Sequence, residues 1–107
     1  MKNKLNKNLI LKIKDLVNQI DPSAKIILFG SHAIGNSNKN SDVDLLILVD
    51  KEKMTYLDET KIKNPLYDLE FETGKIISPL VITQKKWDNE HSNTPFYHNI
   101  KMEGIYL

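Results

Sequence analysis

Apolar residues near the start of the chain recur at intervals of three and four positions, with lysines between them. This spacing is typical of an amphipathic helix with one apolar face. The face comprises Leu5, Leu9, Ile10, Ile13, Leu16, Val17 and Ile20. Proline disfavours the helical conformation at the residue before it, so Pro22 predicts that the helix ends at Asp21.

Three later segments have the composition of β-strands. The first is "KIILF" at 25–29, and the second is "DVDLLILVD" at 42–50. The continuous run "LLILV" in the second is typical of a strand buried on both faces, which predicts a central place in the sheet. The third is "KIISPLVIT" at 75–83, where Pro79 cannot donate a ladder hydrogen bond and therefore favours an edge position or a bulge.

Helical segments separate and follow these strands. "MTYLDETKI" and "NPLYDLEFETG" predict one broken helix or two short ones, with Asn64 as N-cap, Pro65 at the first helical position and Gly74 as the stop. "QKKWDN" predicts one helical turn.

A last helix is predicted from Thr94 as its cap to Gly104 at its end, with Phe96 and Ile100 packed inward. The order of elements favours an α/β (α+β) fold in which helices flank a small mixed sheet. We expect residues 1–107 to form a single domain, because 107 residues suffice for one hydrophobic core.

Composition narrows the classes of partner. The formal net charge is only +1, which argues against a general nucleic-acid binder. The chain has no cysteine, which excludes a disulfide and a thiolate site and fits a reducing compartment, so we expect a cytoplasmic protein. The longest apolar run is five residues, too short for a membrane span, and we also expect no export signal.

Candidate chemistry is concentrated in "GSHAIGNSNKNSDVD" at 30–44. Side chains alternate along a strand, so Asp42 and Asp44 should share one face, roughly 6 to 7 Å apart. Adjacent carboxylates repel each other unless a cation lies between them. Mg²⁺ takes oxygen ligands from one or two carboxylates together with substrate phosphates, so this carboxylate pair predicts a site for Mg²⁺ and a nucleotide.

The other end of this stretch offers an anion site. Gly30 permits a sharp exit from its strand, and Ser31 can begin a helical turn whose free backbone amides attract anions. Every basic residue is lysine, so no guanidinium can bind a phosphate in bidentate fashion. We therefore predict that Gly30 and Ser31 hold the nucleotide's phosphates. A surface role in the turn is the simpler reading of His32, and packing in the core or on a partner surface is the simpler reading of Trp87.

A glycine-serine pair, ten residues and Asp-x-Asp resemble the signature of the DNA polymerase beta-type nucleotidyltransferase superfamily. At this length the chain resembles the minimal nucleotidyltransferases, which are often encoded beside a HEPN-domain partner in toxin–antitoxin pairs. The likeness extends over about residues 24–106 through "YDLEFETG", "ISPLVIT" and "TPFYHNIKMEGI". It implies a polymerase beta-like nucleotidyltransferase fold, Mg²⁺ ligation by Asp42 and Asp44, and phosphate binding by Gly30 and Ser31.

This chain departs from the family's pattern at two places. Members commonly carry arginines in the turn after the glycine-serine pair, where this chain has His32 and Ile34. Active members usually supply a third carboxylate from the next strand, where this chain offers Ser78. Glu70 and Asp50 are the candidates to replace that carboxylate in space.

Three hypotheses follow. The leading one is a Mg²⁺-dependent nucleotidyltransferase that moves AMP from ATP to a hydroxyl of a HEPN toxin partner and so acts as an antitoxin. The alternative is a nucleotide-binding antitoxin with a weakened site, which neutralises its partner by occlusion. The third is an adenylyltransferase that modifies a small molecule as a homodimer.

Overall fold

The computed structural model describes residues 6–38 and 40–107, and the predicted helical position Leu5 lies outside them. Within these ranges the elements are α1 (Lys7–Ile20), β1 (Lys25–Phe29), α2 (Ser31–Ile34), β2 (Val43–Val49), α3 (Tyr56–Thr73), β3 (Ile77–Thr83), α4 (Gln84–Glu90), α5 (Pro95–Glu103) and β4 (Ile105–Tyr106). This α/β arrangement confirms the predicted class, a mixed sheet flanked by helices.

The four described strands lie in the order β3-β2-β1-β4. β2 pairs antiparallel with β1 and parallel with β3, and β4 adds an antiparallel edge beside β1. The predictions of a central β2 and an edge position for the strand with Pro79 are confirmed. β4 was not predicted, because a two-residue strand is too short to show an alternating pattern.

Helices cover both faces of the sheet. α1 and α3 pack on one face, against alternate β2 residues from Val43 to Val49. On the opposite face, Trp87 of α4 and Ile100 of α5 pack with Leu46, Leu48 and other apolar side chains. The "LLILV" run is therefore buried on both faces, as predicted, because its neighbouring residues belong to two separate clusters of the core.

α3 differs from its prediction. It is one helix of 18 residues that passes through Pro65, so the assignment of Asn64 as an N-cap is wrong. The helix begins after Thr55, whose hydroxyl accepts from the Asp58 amide while the Asp58 carboxylate accepts from the Thr55 amide. An internal proline costs about 3 kcal/mol, and burial on α3 offsets it, with the buried residues Ile62, Leu66 and Leu69.

The remaining helices agree with the sequence, except that α4 has seven residues where a single turn was predicted. α1 ends at Ile20, α3 ends at Gly74 in the left-handed conformation, and α5 begins after the cap Thr94. Across residues 6–38 and 40–107, no helix has both the length and the apolar character that crossing a membrane requires.

Candidate active site

The antiparallel register of β1 and β2 brings the two ends of the 30–44 stretch together. Phe29 is the last residue of β1 and pairs with Asp44 near the start of β2. Gly30 and α2 follow Phe29 directly, so the glycine-serine pair lies beside the carboxylate pair, Asp42 and Asp44. The predicted phosphate-binding residues and the predicted cation ligands therefore lie at the same end of the sheet.

Gly30 adopts a conformation that glycine alone tolerates well. Its φ of 74° and ψ of −155° lie in a region that side chains with a Cβ rarely enter. A Cβ at this position would lie only 2.4 Å from Oδ2 of Asp44. The missing side chain therefore does two things, because it permits the turn and it leaves room for the Asp44 carboxylate against the backbone.

α2 begins at Ser31, as predicted. The amides of Ala33 and Ile34 both donate to the Gly30 carbonyl, at 3.0 and 3.3 Å, and these bonds fix the turn. The first amides of a helix have no intrahelical acceptor, and α2 directly follows Gly30, against which Asp44 packs. Phosphate binding at Gly30 and Ser31 stays a prediction, and this geometry is compatible with it.

The carboxylate pair is electrostatically unfavourable without a cation. Asp42 is exposed and Asp44 is half-buried. Burial raises the pKa of Asp44, the charge of Asp42 raises it further, and His32 acts in the opposite direction. Negative charge confined in this way would be relieved by a hard cation.

The donor set fits a cation that shares its ligands with a substrate. Two carboxylates supply oxygen ligands of the kind that Mg²⁺ prefers, and nucleotide phosphates can complete the shell. In residues 6–38 and 40–107, no group of three or more His, Cys, Asp or Glu side chains is placed to hold a metal. Ligation of a divalent cation by Asp42 and Asp44, with nucleotide oxygens as further ligands, stays a prediction.

Ser78 lies beside Asp44. The parallel register of β2 and β3 pairs these two residues, so their side chains share a face of the sheet. A hydroxyl therefore stands next to Asp44, at the position where the family resemblance leads us to expect a carboxylate. Serine brings no fixed negative charge to this end of the sheet.

Neither proposed replacement for that carboxylate joins the pair. Asp50 follows the far end of β2, six residues from Asp44, which corresponds to about 20 Å of extended strand. Glu70 reaches the start of β3, where its Oε1 accepts from the Ile77 amide at 2.7 Å. The Ile76 carbonyl and the Ile77 amide belong to one peptide group and point in opposite directions. The carbonyl faces β2, where it accepts from the Val43 amide. Glu70 therefore binds the outer edge of β3, away from the carboxylate pair.

His32 is more constrained than an exposed turn histidine. Its Nε2 lies 3.2 Å from the carbonyl oxygen of Ser41, nine residues further along. Its Nδ1 is buried and has no hydrogen-bond partner among the described residues. The sequence did not predict this contact. The signal that it offered is the position of the histidine, directly after the glycine-serine pair.

Comparison with known proteins identifies the family. Residues 10–107 match the family model described as a nucleotidyltransferase domain. The chain belongs to the nucleotidyltransferase domain family. It is therefore a nucleotidyltransferase by family, as the signature at 30–44 predicted.

A Methanocaldococcus jannaschii protein, named as a protein adenylyltransferase, resembles this nucleotidyltransferase over 100 residues. The two are 32% identical, and the match covers 89% of this chain and 93% of that protein. A chain in the crystal structure of a mutant of the toxin–antitoxin MntA–HpeT has a similar fold, with a TM-score of 0.61 and 17% identity. That match covers 95% of this nucleotidyltransferase and 72% of the other chain.

Proposed function

We propose that this nucleotidyltransferase transfers AMP from ATP to a hydroxyl of a partner protein, with a Mg²⁺ ion held by Asp42 and Asp44. The observation that carries the proposal is the placement of Gly30, Ser31 and the carboxylate pair at one end of β1 and β2. The similarity to a protein adenylyltransferase supports AMP as the group transferred and a protein as the acceptor.

The reaction breaks one bond and forms one bond at the α-phosphorus. The acceptor oxygen attacks this phosphorus, the bond to the oxygen that bridges the α- and β-phosphates breaks, and pyrophosphate leaves. The hydroxyl proton passes to solvent. Gly30 and Ser31 would hold the phosphates, while Asp42 and Asp44 would hold the cation. When bound, Mg²⁺ would neutralise charge that develops on the phosphate oxygens.

The proposed partner is a HEPN-domain toxin, and the proposed role of the chain is that of an antitoxin in the cytoplasm. The fold similarity to a chain of a toxin–antitoxin structure supports this role, and so does the resemblance to minimal nucleotidyltransferases. The acceptor hydroxyl of the proposed reaction belongs to this partner.

The transfer is tested with ATP labelled at the α-phosphate, Mg²⁺ and the purified candidate partner, with γ-labelled ATP in parallel. We expect α-label but no γ-label on the partner, and no label with Asp42→Asn or Asp44→Asn. Asp50→Asn is the matched control, because it removes a carboxylate from the far end of the same strand. Label that persists in Asp44→Asn, or γ-label on the partner, would refute the proposal.

Occlusion of the partner without transfer is the second candidate function. The observation that favours it is the hydroxyl of Ser78 beside Asp44, with neither Glu70 nor Asp50 near the pair. Neutralisation of the toxin is then expected to survive Asp42→Asn and Asp44→Asn. Growth of cells that express toxin with each variant distinguishes the two functions.

A further inference from the structure

We propose that His32 is a positioning residue, whose hydrogen bond to the Ser41 carbonyl sets the place of the Asp42 carboxylate relative to Asp44. The inference rests on the proposed function of this carboxylate pair as the holder of a divalent cation. It assigns a specific role to a residue that the sequence suggested was an ordinary turn histidine.

The partner of His32 fixes its tautomer. A backbone carbonyl can only accept a hydrogen bond, so Nε2 of His32 carries the hydrogen that points to Ser41. The other ring nitrogen, Nδ1, is buried and has no hydrogen-bond partner among the described residues. Burying a polar atom without a partner is unfavourable. A contribution to fold stability alone therefore does not explain the placement of the His32 ring.

The hydrogen bond acts directly beside Asp42. The Ser41 amide donates to the Asn38 carbonyl, and the Ser41 carbonyl accepts from His32, so both backbone groups of Ser41 are held. On the other side, the Val43 amide donates to the Ile76 carbonyl of the adjoining chain segment at 2.8 Å. Asp42 is thus an exposed residue between two anchored neighbours.

The two anchors are not equivalent. Val43 is anchored as part of the sheet, which the apolar core stabilises on both faces. Ser41 precedes the strand, and the bond from His32 ties it to α2, which in turn follows Gly30 beside Asp44. The His32 bond therefore links the segment that carries Asp42 to the turn against which Asp44 packs.

The test compares His32→Gln, which can present a side-chain N–H near the place of Nε2, with His32→Leu, which has similar bulk and no donor. His98→Leu is the control, since it removes an exposed histidine from α5. Mn²⁺ binding in the presence of a non-hydrolysable ATP analogue is measured by titration calorimetry. Residues that orient metal ligands typically change metal affinity about 10–100-fold when mutated, so we expect a loss of about tenfold or more in His32→Leu, and affinities close to wild type in the other two variants.

Amide hydrogen exchange provides a readout that does not depend on the proposed function. We expect faster exchange at Ser41 and Asp42 in His32→Leu than in His32→Gln, while the β2 core residues Leu46 and Ile47 stay unchanged. Exchange at Ser41 that is the same in both variants would overturn the inference. Equal losses of Mn²⁺ affinity in both variants would also overturn it, because the hydrogen bond would then not be the cause.

Failure of the proposed function has a different signature. If Asp42→Asn binds Mn²⁺ and nucleotide as tightly as wild type, the carboxylate pair is not the cation site, and both proposals fall. If Asp42→Asn loses affinity while His32→Leu keeps it, the proposed site stands and only the positioning role of His32 is wrong.

Discussion

Gly30→Ala tests the central feature of the site, the close approach of the Asp44 carboxylate to the backbone. The substitution adds one methyl group and leaves every charge in place. The new Cβ would lie 2.4 Å from Oδ2 of Asp44, about 1 Å short of the 3.4 Å at which ordinary contact begins. Either the carboxylate or the turn must move.

Two costs can be separated. Holding a non-glycine residue at the φ and ψ of Gly30 costs about 1–3 kcal/mol in the free energy of unfolding. If the Asp44 side chain stays in place, the close contact between the new Cβ and Oδ2 adds to this cost. If the side chain moves, its carboxylate is displaced by about 1 Å. A misplacement of 1 Å in a reacting site can lower the rate about 100-fold. We therefore expect Gly30→Ala to transfer AMP about 100-fold more slowly. We also expect it to be less stable than the wild type.

Gly74→Ala is the matched control. Gly74 also has a φ of 75°, but its ψ of 4° is the ordinary left-handed conformation and a Cβ there would meet nothing within 4 Å. This change should cost about 1–2 kcal/mol of stability and leave transfer unchanged. Urea denaturation gives the stability of both variants, and α-label incorporation gives their activity.

A double variant isolates the contact. Combining Gly30→Ala with Asp44→Gly removes the carboxylate that the new methyl group meets, so the stability cost of the alanine should fall toward the backbone strain alone. If Gly30→Ala transfers AMP at the rate of Gly74→Ala, the close approach of Asp44 to Gly30 does not matter for transfer. If a stability loss in Gly30→Ala beyond backbone strain persists in the Asp44→Gly background, the Asp44 carboxylate is not its cause.

Two further predictions concern stability. Thr55→Ala removes the hydroxyl that caps α3 and should lower the free energy of unfolding by about 1 kcal/mol. The control is Thr60→Ala, which lies inside the helix. An equal loss of stability in the control would contradict a specific role for the cap. The second is that Asp44→Asn stabilises the cation-free protein at pH 7. The folded-state pKa of Asp44 is raised by burial and by Asp42, so its ionised form destabilises the fold, and this penalty appears as pH rises from the unfolded value of about 3.9 through the folded pKa. The gain from asparagine, measured by urea denaturation, should be present at pH 7 and shrink toward pH 3; a gain that does not vary with pH would exclude this cause.

Local patterns in the sequence determined much of the fold. The repeat of apolar residues located α1, and the uninterrupted "LLILV" run identified the strand that is buried on both faces. Both follow because periodicity reports directly which side chains leave water. Pro65 shows the limit of such reasoning, since burial of α3 against the core outweighs the local tendency of proline to begin a helix.

The sequence by itself identified the family and the candidate site, through the spacing of Gly30, Ser31, Asp42 and Asp44. Only the tertiary structure decided how these residues meet. The pairing of Phe29 with Asp44 places the carboxylate against Gly30, and the parallel pairing of β2 with β3 places Ser78 beside it. Strand register and the bond from His32 to Ser41 depend on how separate segments pack together. No periodicity within one segment encodes that packing.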